Sequence, residues 1–266
     1  MTSAAQPLKT YYWTGKPNFG DSINVELIKI LSGRPVEFAK AGAADFFAIG
    51  SNMKFAARRA GIDRPFAVWT TGMMEPFDFT FPQHAHVAAV RGPMTANGLG
   101  LENAVAYGDG GLLCEMKVPR KSAKGHKIGL VPHHRHLSHP FVGKILSENS
   151  DVFLVRVDHD DPWQTVAEIA SCEVIVSSSL HGLIVADCYG IPNFFLAHNP
   201  NKQELPFKFQ DYEASAGRKI GVVVPDDVGQ APMRASNSET GYFLQIEALK
   251  ASAKDSFPRD VVRDLG

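Results

Sequence analysis

The sequence predicts an α/β protein built from two Rossmann-like domains that face each other across a cleft. Short apolar runs of strand length alternate along the chain with amphipathic runs of helix length. Most strand-like runs end in a glycine or a polar loop, which is typical of a doubly wound parallel sheet. The alternation starts again after a basic, aperiodic segment at residues 116–127. A chain of 266 residues is long enough for two such domains.

The first half alternates predicted strands with predicted helices. Residues 22–31 predict a helix, because apolar residues at 23, 27, 30 and 31 share one face and Gly33 ends the pattern. A second helix is predicted at 53–60, and a third starts at Pro93, a proline position that helices tolerate. The predicted strands of this half are residues 8–13, 45–49, 66–71, 86–91 and 105–107.

The second half repeats the same pattern. Helices are predicted at 162–170, from 180 onward and at 241–253, and residues 198–212 are predicted to form a polar and aromatic loop that lines a pocket. The predicted strands of this half are residues 127–131, 152–157, 174–176, 193–196 and 220–224.

The shift in composition sets the predicted domain boundaries. Residues 1–118 form the N-terminal domain, 119–126 the linker and 127–266 the C-terminal domain.

The unit at residues 171–196 is the first candidate for a ligand site. Its buried strand is followed by serines at 177–179 and by a helix that starts near Leu180 and ends at Gly190. Ligands bind at the carboxyl ends of parallel strands, because helix N-termini there present free N–H groups and about half a positive charge. His181 lies in this turn. The structural alternative is a buried histidine whose ring is satisfied by a neighbour.

Two segments of the first half end at the same predicted rim. Asp21 is a good N-cap for the helix at 22–31, which is its structural interpretation. In the functional interpretation, residues 18–21 form a ligand loop in which Gly20 lets a ligand approach the backbone closely. Arg91 stands at the end of a later strand, where it is either a surface cation or a clamp for an anion.

The overall composition indicates an ordinary globular protein. Hydrophobic residues make up 44% of the chain, and the formal net charge of -1 gives no general affinity for nucleic acid. Cys114, Cys172 and Cys188 are far apart in apolar segments, as expected for reduced thiols. The sequence contains neither an apolar signal core nor an apolar run of about eighteen residues, so we expect a cytoplasmic protein.

Several catalytic and metal motifs are absent. The four histidines within 133–139 fit no zinc spacing, so we expect no metal and interpret this loop as one that touches a ligand. The dinucleotide fingerprint GxGxxG, the Walker A motif and the GxSxG nucleophile elbow do not occur. The sequence therefore argues against a dinucleotide-binding enzyme and an α/β-hydrolase.

Motifs spread over roughly residues 10–212 occur in an order that resembles the polysaccharide pyruvyl transferases. A further segment, Lys208-Phe209-Gln210-Asp211, is similar to a pattern of the short exopolysaccharide ketal-pyruvate transferases. The motifs that carry the resemblance are Asn18-Phe19-Gly20-Asp21, Val90-Arg91-Gly92-Pro93-Met94-Thr95, Tyr107-Gly108-Asp109, and Ser178-Ser179-Leu180-His181-Gly182 followed by Gly190-Ile191-Pro192. The resemblance implies a GT-B-like fold and transfer of the pyruvyl group of phosphoenolpyruvate to a sugar as a ketal, without a cofactor.

That chemistry assigns roles to the candidate residues. Phosphoenolpyruvate carries a carboxylate and a phosphate, so its site needs cations and helix N-termini. His181 is the predicted acid or phosphate partner, and Asp21 is the predicted base. The predicted substrate-binding residues are Asn18, Gly20, Arg91, His133, Arg135, Ser178, Ser179 and Lys208.

Ser179 departs from the family pattern, because many members carry arginine at the matching position. We expect Lys208 or Arg135 to supply the missing anion contact.

Two other functions fit the same architecture. One is a GT-B nucleotide-sugar glycosyltransferase, since a fold does not fix a function. The other is a non-catalytic saccharide-binding module, which would show an exposed aromatic platform without a cationic anion site.

For the pyruvyl transferase we expect the acceptor on the N-terminal domain and phosphoenolpyruvate on the C-terminal domain. The expected acceptor is a lipid-linked or nucleotide-linked saccharide, and a lipid-linked one would bring the protein to the cytoplasmic face of the inner membrane as a peripheral contact.

Overall fold

The protein is an α/β structure with two parallel sheets. The structure, a computed structural model, describes residues 6–16, 18–58, 64–77, 81, 84–101, 105–120, 125–199, 201, 204–235 and 243–256. Part of the predicted linker, residues 121–124, lies outside the described residues.

The first sheet has six strands in the order β2-β1-β3-β4-β5-β6, and every neighbouring pair is parallel. Two 3₁₀ turns accompany it, at Ala41–Ala43 and Gly110–Met116. Its strands and helices are β1 (Leu8–Tyr11), α1 (Phe19–Ser22), α2 (Asn24–Ser32), β2 (Val36–Phe38), β3 (Phe46–Phe47), α3 (Met53–Ala57), β4 (Phe66–Trp69), β5 (Ala85–Val90), α4 (Pro93–Gly98) and β6 (Ala106–Tyr107).

The second sheet has five strands in the order β11-β10-β9-β7-β8, again all parallel. Its 3₁₀ turns are His134–His136 and Pro225–Gln230. The elements of this half are β7 (His126–Val131), α5 (Pro140–Glu148), β8 (Val152–Leu154), α6 (Pro162–Ala170), β9 (Cys172–Ser177), α7 (Leu180–Cys188), β10 (Asn193–Leu196), α8 (Phe207–Ala216), β11 (Gly221–Val223), α9 (Ala231–Ala235) and α10 (Phe243–Ser256).

Helix α7 lies at the centre of the molecule. All nine of its residues are buried, as expected for a helix that is apolar on every side. It packs against β9, α6 and the 3₁₀ turn at Gly110–Met116, which belongs to the first half of the chain. One hydrophobic cluster accordingly includes side chains from both halves, among them Leu27, Trp69, Leu183, Ile184 and Phe209.

The last described helix, α10, returns to the first sheet. It packs against β4, β5 and β6. Trp69 Nε1 donates a hydrogen bond of 3.1 Å to Ser252 Oγ, and the Leu249 side chain lies against Gly108. The end of the described chain thus covers strands of the N-terminal half. The domain boundaries stay a prediction.

Two local predictions were wrong and one strand was missed. Asp21 is not the N-cap of a helix, because α1 begins two residues earlier at Phe19 and Asn18 precedes it. Strand β2 was not predicted, since its three residues are half-buried or exposed at the sheet edge. Residues 207–212 are helical, because Pro206 precedes α8 and Gly217 ends it in the left-handed region with φ 64°.

None of the helices described is long and apolar enough to cross a bilayer.

Candidate functional site

The turn between β9 and α7 is fixed by a serine that sequence reasoning did not select. Ser177 Oγ lies 2.8 Å from the carbonyl oxygens of Val131 and Ser179 and accepts a 2.9 Å hydrogen bond from Ser179 N. Gly182 packs against the same hydroxyl, so closely that a Cβ there would overlap Ser177 Oγ. The resulting turn holds the first residues of α7 in a fixed orientation.

His181, the second residue of α7, is buried where the two halves of the chain meet. The residue is 8% exposed, and the Phe19 ring lies edge-on to its imidazole with centroids 6.2 Å apart. Gly20 lies against the same ring, and a Cβ at this position would overlap His181 Nδ1. Helix α1 can approach His181 this closely because Gly20 has no side chain.

Asp21 faces the site from α1, and two asparagines hold its carboxylate. Asn18 Nδ2 donates to Oδ2 at 2.6 Å and Asn52 Nδ2 donates to Oδ1 at 3.1 Å. Gly50, which follows β3 with φ 115°, passes beneath the carboxylate where a side chain would collide with it. Burial is the main reason why the pKa of Asp21 rises to about 6, although the asparagines oppose this rise.

Asp109 is a buried carboxylate of the site that was not among the predicted site residues. It follows β6, and its Oδ1 accepts a 3.0 Å hydrogen bond from Gly111 N at the start of a 3₁₀ turn. Burial raises the pKa of Asp109 to about 6 against the opposing effects of that hydrogen bond and of Arg91. The Tyr107-Gly108-Asp109 motif at a strand end was the signal that could have identified it.

Arg91 is fully buried, and protein groups already bind its guanidinium. Its Nη1 donates to Ser51 Oγ at 2.9 Å, and its Nη2 donates to the Met73 carbonyl oxygen and lies 3.3 Å from Asp211 Oδ2. Asp211 also accepts from the Thr95 backbone N–H at 3.0 Å and from the Thr95 hydroxyl at 2.6 Å. Arg91 therefore joins β5 to α8 and contributes its charge to the site through space.

Two other cations, Lys208 and Arg135, lie near this group. Lys208 is half-buried on α8 and Arg135 is exposed in the 3₁₀ turn at His134–His136. Within the described ranges, neither side chain takes part in a salt bridge. Burial and the charges of Arg91 and Arg135 together lower the pKa of Lys208 to about 8, against the opposing effect of Asp21. These two cations, which form no salt bridge within the described ranges, suit an anionic ligand.

The histidine loop after β7 is hydrogen-bonded to the serine turn. Ser178 Oγ accepts from His133 N at 2.9 Å and lies 3.1 Å from His136 Nδ1. Burial and the neighbouring positive groups lower the pKa of His133 to about 3. In the part of the chain that the structure describes, no group of three His, Cys, Asp or Glu side chains could hold a metal ion.

Electrostatics make His181 neutral at physiological pH. Burial lowers its pKa to about 3, and the charges of Lys208, Arg91 and His133 contribute to this effect. The two carboxyl groups beside it, Asp21 and Asp109, have raised pKa values of about 6. The site thus combines an imidazole that resists protonation with carboxyl groups that titrate near neutral pH.

The structure brings the predicted site residues into one region. Ser179 precedes α7 as its N-cap but makes no capping hydrogen bond with its side chain. The other predicted residues are linked to one another by hydrogen bonds, by packing or by the charge effects described above: Asn18, Gly20, Asp21, Arg91, His133, Arg135, Ser178, His181 and Lys208.

The lowered pKa of His181 predicts that the stability of the folded protein depends on pH. The folded protein resists protonation of this ring below pH 6.5, whereas the unfolded chain takes up the proton, so the free energy of unfolding should fall as the pH is lowered from 6.5 towards 3. Between pH 7 and pH 4.5 we expect His181 to account for a loss of about 2–3 kcal/mol. Urea denaturation at the two pH values measures this loss.

The His181→Gln variant isolates this contribution, because it retains the oppositely directed effects of Asp21 and Asp109. Its free energy of unfolding should fall less than that of the wild type. Equal losses in the two proteins would contradict the buried, neutral state of His181.

Comparison with known proteins gives two matches. The sequence model of the family described as polysaccharide pyruvyl transferase matches residues 18–200, more than half of the chain. A segment of 115 residues is 27% identical to an uncharacterized protein of Acanthamoeba polyphaga mimivirus, and this match covers 41% of the present chain and 39% of the viral protein.

Proposed function

The chain belongs to the polysaccharide pyruvyl transferase family, and we propose that it moves the pyruvyl group of phosphoenolpyruvate onto a sugar as a ketal and releases phosphate. The observation that carries this proposal is a lysine close to His181, Lys208, with a second cation, Arg135, close to that lysine. Lys208 and Arg135 have no salt-bridge partner among the described residues, and the buried Arg91 adds its charge. A small ligand with two anionic groups suits this arrangement.

We propose that Lys208 and Arg135 supply the anion contact that many family members obtain from an arginine at the position of Ser179. The charge of Arg135 acts on Lys208, and the charge of Lys208 acts on both Asp21 and His181. Helix α7 begins directly after Ser179, so the free N–H groups of its first turn add to the attraction for an anion. Arg91 is held in place by its buried ion pair with Asp211, which opposes its charge.

The reaction requires one proton at carbon and the loss of two hydroxyl protons. Protonation of the methylene carbon of phosphoenolpyruvate gives an oxocarbenium centre, which one sugar hydroxyl attacks as it loses its proton. The bond between this centre and the phosphate oxygen then breaks, and the second hydroxyl closes the ketal. One of the two hydroxyl protons replaces the proton that an acid group gave to the methylene carbon. The other ends on the released phosphate, which leaves as hydrogen phosphate. Acid and base groups typically contribute about 10²- to 10⁴-fold to such steps.

His181 and Asp21 are the proposed acid and base groups. In the free protein the neutral His181 is a proton acceptor, and a bound anion would raise its pKa and allow it to donate a proton. Asp21, with a pKa of about 6, is largely ionised at neutral pH and can accept a proton from a hydroxyl.

We propose a GT-B-like arrangement in which the N-terminal domain binds the acceptor and the C-terminal domain binds phosphoenolpyruvate. The proposed acceptor is an exopolysaccharide precursor in the cytoplasm, lipid-linked or nucleotide-linked, and a lipid-linked one implies a peripheral contact with the inner membrane. The reaction as written uses no metal, no cofactor and no nucleic acid.

Calorimetric titration with phosphoenolpyruvate and with UDP-sugars tests this function. We expect phosphoenolpyruvate to bind, and Lys208→Ala to weaken its binding about 10- to 100-fold through loss of one charge-assisted contact. Lys219→Ala is the matched control, because Lys219 is exposed and paired with Glu213. Binding of UDP-sugars without binding of phosphoenolpyruvate would instead identify a nucleotide-sugar glycosyltransferase.

A further inference from the structure

Two buried polar atoms face each other across the interface between the halves of the chain. His181 Nε2 lies 3.9 Å from Asp109 Oδ2. Within the described ranges, both atoms are buried and neither has a hydrogen-bond partner. Leaving a buried donor or acceptor without a partner is energetically costly, so each such atom in a native protein needs an explanation.

The carboxylate is the fixed member of this pair. Asp109 is completely buried and Oδ1 is held by Gly111 N, so the hydrogen bond fixes the orientation of the carboxylate and leaves Oδ2 free to accept. The imidazole packs against Gly20 and the Phe19 ring, but within the described residues no hydrogen bond to Nε2 fixes it. A ring movement of about 1 Å would bring Nε2 to the usual hydrogen-bond distance from Oδ2.

We propose that Asp109 is the positioning residue of His181, accepting a hydrogen bond from Nε2–H and thereby keeping the proton on Nε2 and the lone pair on Nδ1. This inference rests on the proposed function, in which His181 is an acid or base. The side chain of His181 is 11% exposed although Nε2 is buried, so the exposed part of the ring lies elsewhere.

The pair also restricts where the anion binds. A phosphate would be repelled from Nε2, because the Asp109 carboxylate lies beside that atom. Lys208 acts on His181 and has no salt-bridge partner within the described ranges, so the anion belongs on its side. When Nδ1 accepts the proton of a sugar hydroxyl, the O–H bond breaks, the Nδ1–H bond and the bond from oxygen to the ketal carbon form, and Asp109 stabilises the imidazolium.

Nitrogen-15 NMR of the histidine side chains tests the proposal without any substrate. Couplings between the ring nitrogens and ring protons identify the protonated nitrogen, and the spectrum of His181→Gln assigns the signal of residue 181 among the ten histidines. We expect the Nε2–H form in the wild type. The Nδ1–H form in the wild type would overturn the proposal, and this outcome leaves the proposed function intact.

The variant Asp109→Asn sharpens the test. Asparagine can still accept the hydrogen bond from Gly111 N, but its amide group then presents N–H to His181 in place of oxygen. We expect the proton of His181 to move from Nε2 to Nδ1. Asp161→Asn is the matched control, because Asp161 also accepts from a backbone N–H two residues ahead, that of Trp163, and makes no contact with His181.

Kinetics separate positioning from a purely structural role. For Asp109→Asn we expect kcat for phosphate release to fall between about 10-fold and 10⁴-fold, the range found for outer carboxylates on histidines in other enzymes, with KM for phosphoenolpyruvate changed less than about threefold. An unchanged kcat, or an unchanged proton position on His181 in a folded Asp109→Asn protein, would overturn the proposal.

Discussion

Replacement of His181 by alanine is expected to lower the rate of phosphate release from phosphoenolpyruvate by about 10²- to 10⁴-fold. The imidazole packs against Gly20 of α1 and lies beside the Asp109 carboxylate. Alanine removes the proton acceptor and donor without placing a new group in the site. A phosphate-release assay under saturating phosphoenolpyruvate and acceptor measures the effect.

The loss of activity has to be separated from a loss of structure. His181 is buried, so alanine leaves a cavity, and circular dichroism and the unfolding midpoint of the variant should accompany the assay. His159→Ala provides the control, since this ring pairs with Glu168 outside the site. A folded His181→Ala protein with more than about a tenth of the wild-type rate would remove this residue from the mechanism.

Much of the fold follows from local sequence patterns. Strands of a parallel sheet are buried on both faces, so they read as short apolar runs, and the strand at Asn193–Leu196 and the helix at Pro162–Ala170 were predicted with their observed bounds. The resemblance to the pyruvyl transferases was also visible in the sequence, and the family match confirms it. His181 lies at the start of the helix that follows the serines at 177–179, as predicted.

Contacts between distant parts of the chain were not predictable in the same way. The sequence placed Asp21 at a helix start because it stands before an apolar pattern, whereas its burial depends on Asn52 and Gly50 from another strand end. Similarly, Asp109 acquires a role only when α7 brings His181 to within 3.9 Å. Such pairings depend on how the two sheets pack, which short-range periodicity does not contain.

The segment Lys208-Phe209-Gln210-Asp211 shows both what the sequence predicted and what it did not. Its spacing places Lys208 and Asp211 three residues apart, which in helix α8 puts them on neighbouring positions of one face. Sequence reasoning chose Lys208 for the site, and the structure adds that Asp211 holds Arg91 through a buried ion pair. A helix that was predicted as a loop therefore delivers one cation to the ligand site and anchors another.

Replacement of Asp211 by alanine is expected to reduce the free energy of unfolding by about 3–5 kcal/mol, because it leaves the charge of the buried Arg91 uncompensated. Urea denaturation measures this loss. Asp158→Ala is the control, since its ion pair with Arg156 is largely exposed and should contribute at most about 1 kcal/mol. The double variant Arg91→Met/Asp211→Leu removes both charges and should recover part of the stability, because the Thr95 groups that donate to Asp211 stay unpaired, but it should not recover the phosphate release. A loss below about 1 kcal/mol in Asp211→Ala would contradict the pair, whereas recovery of activity in the double variant would show that the charge of Arg91 is dispensable.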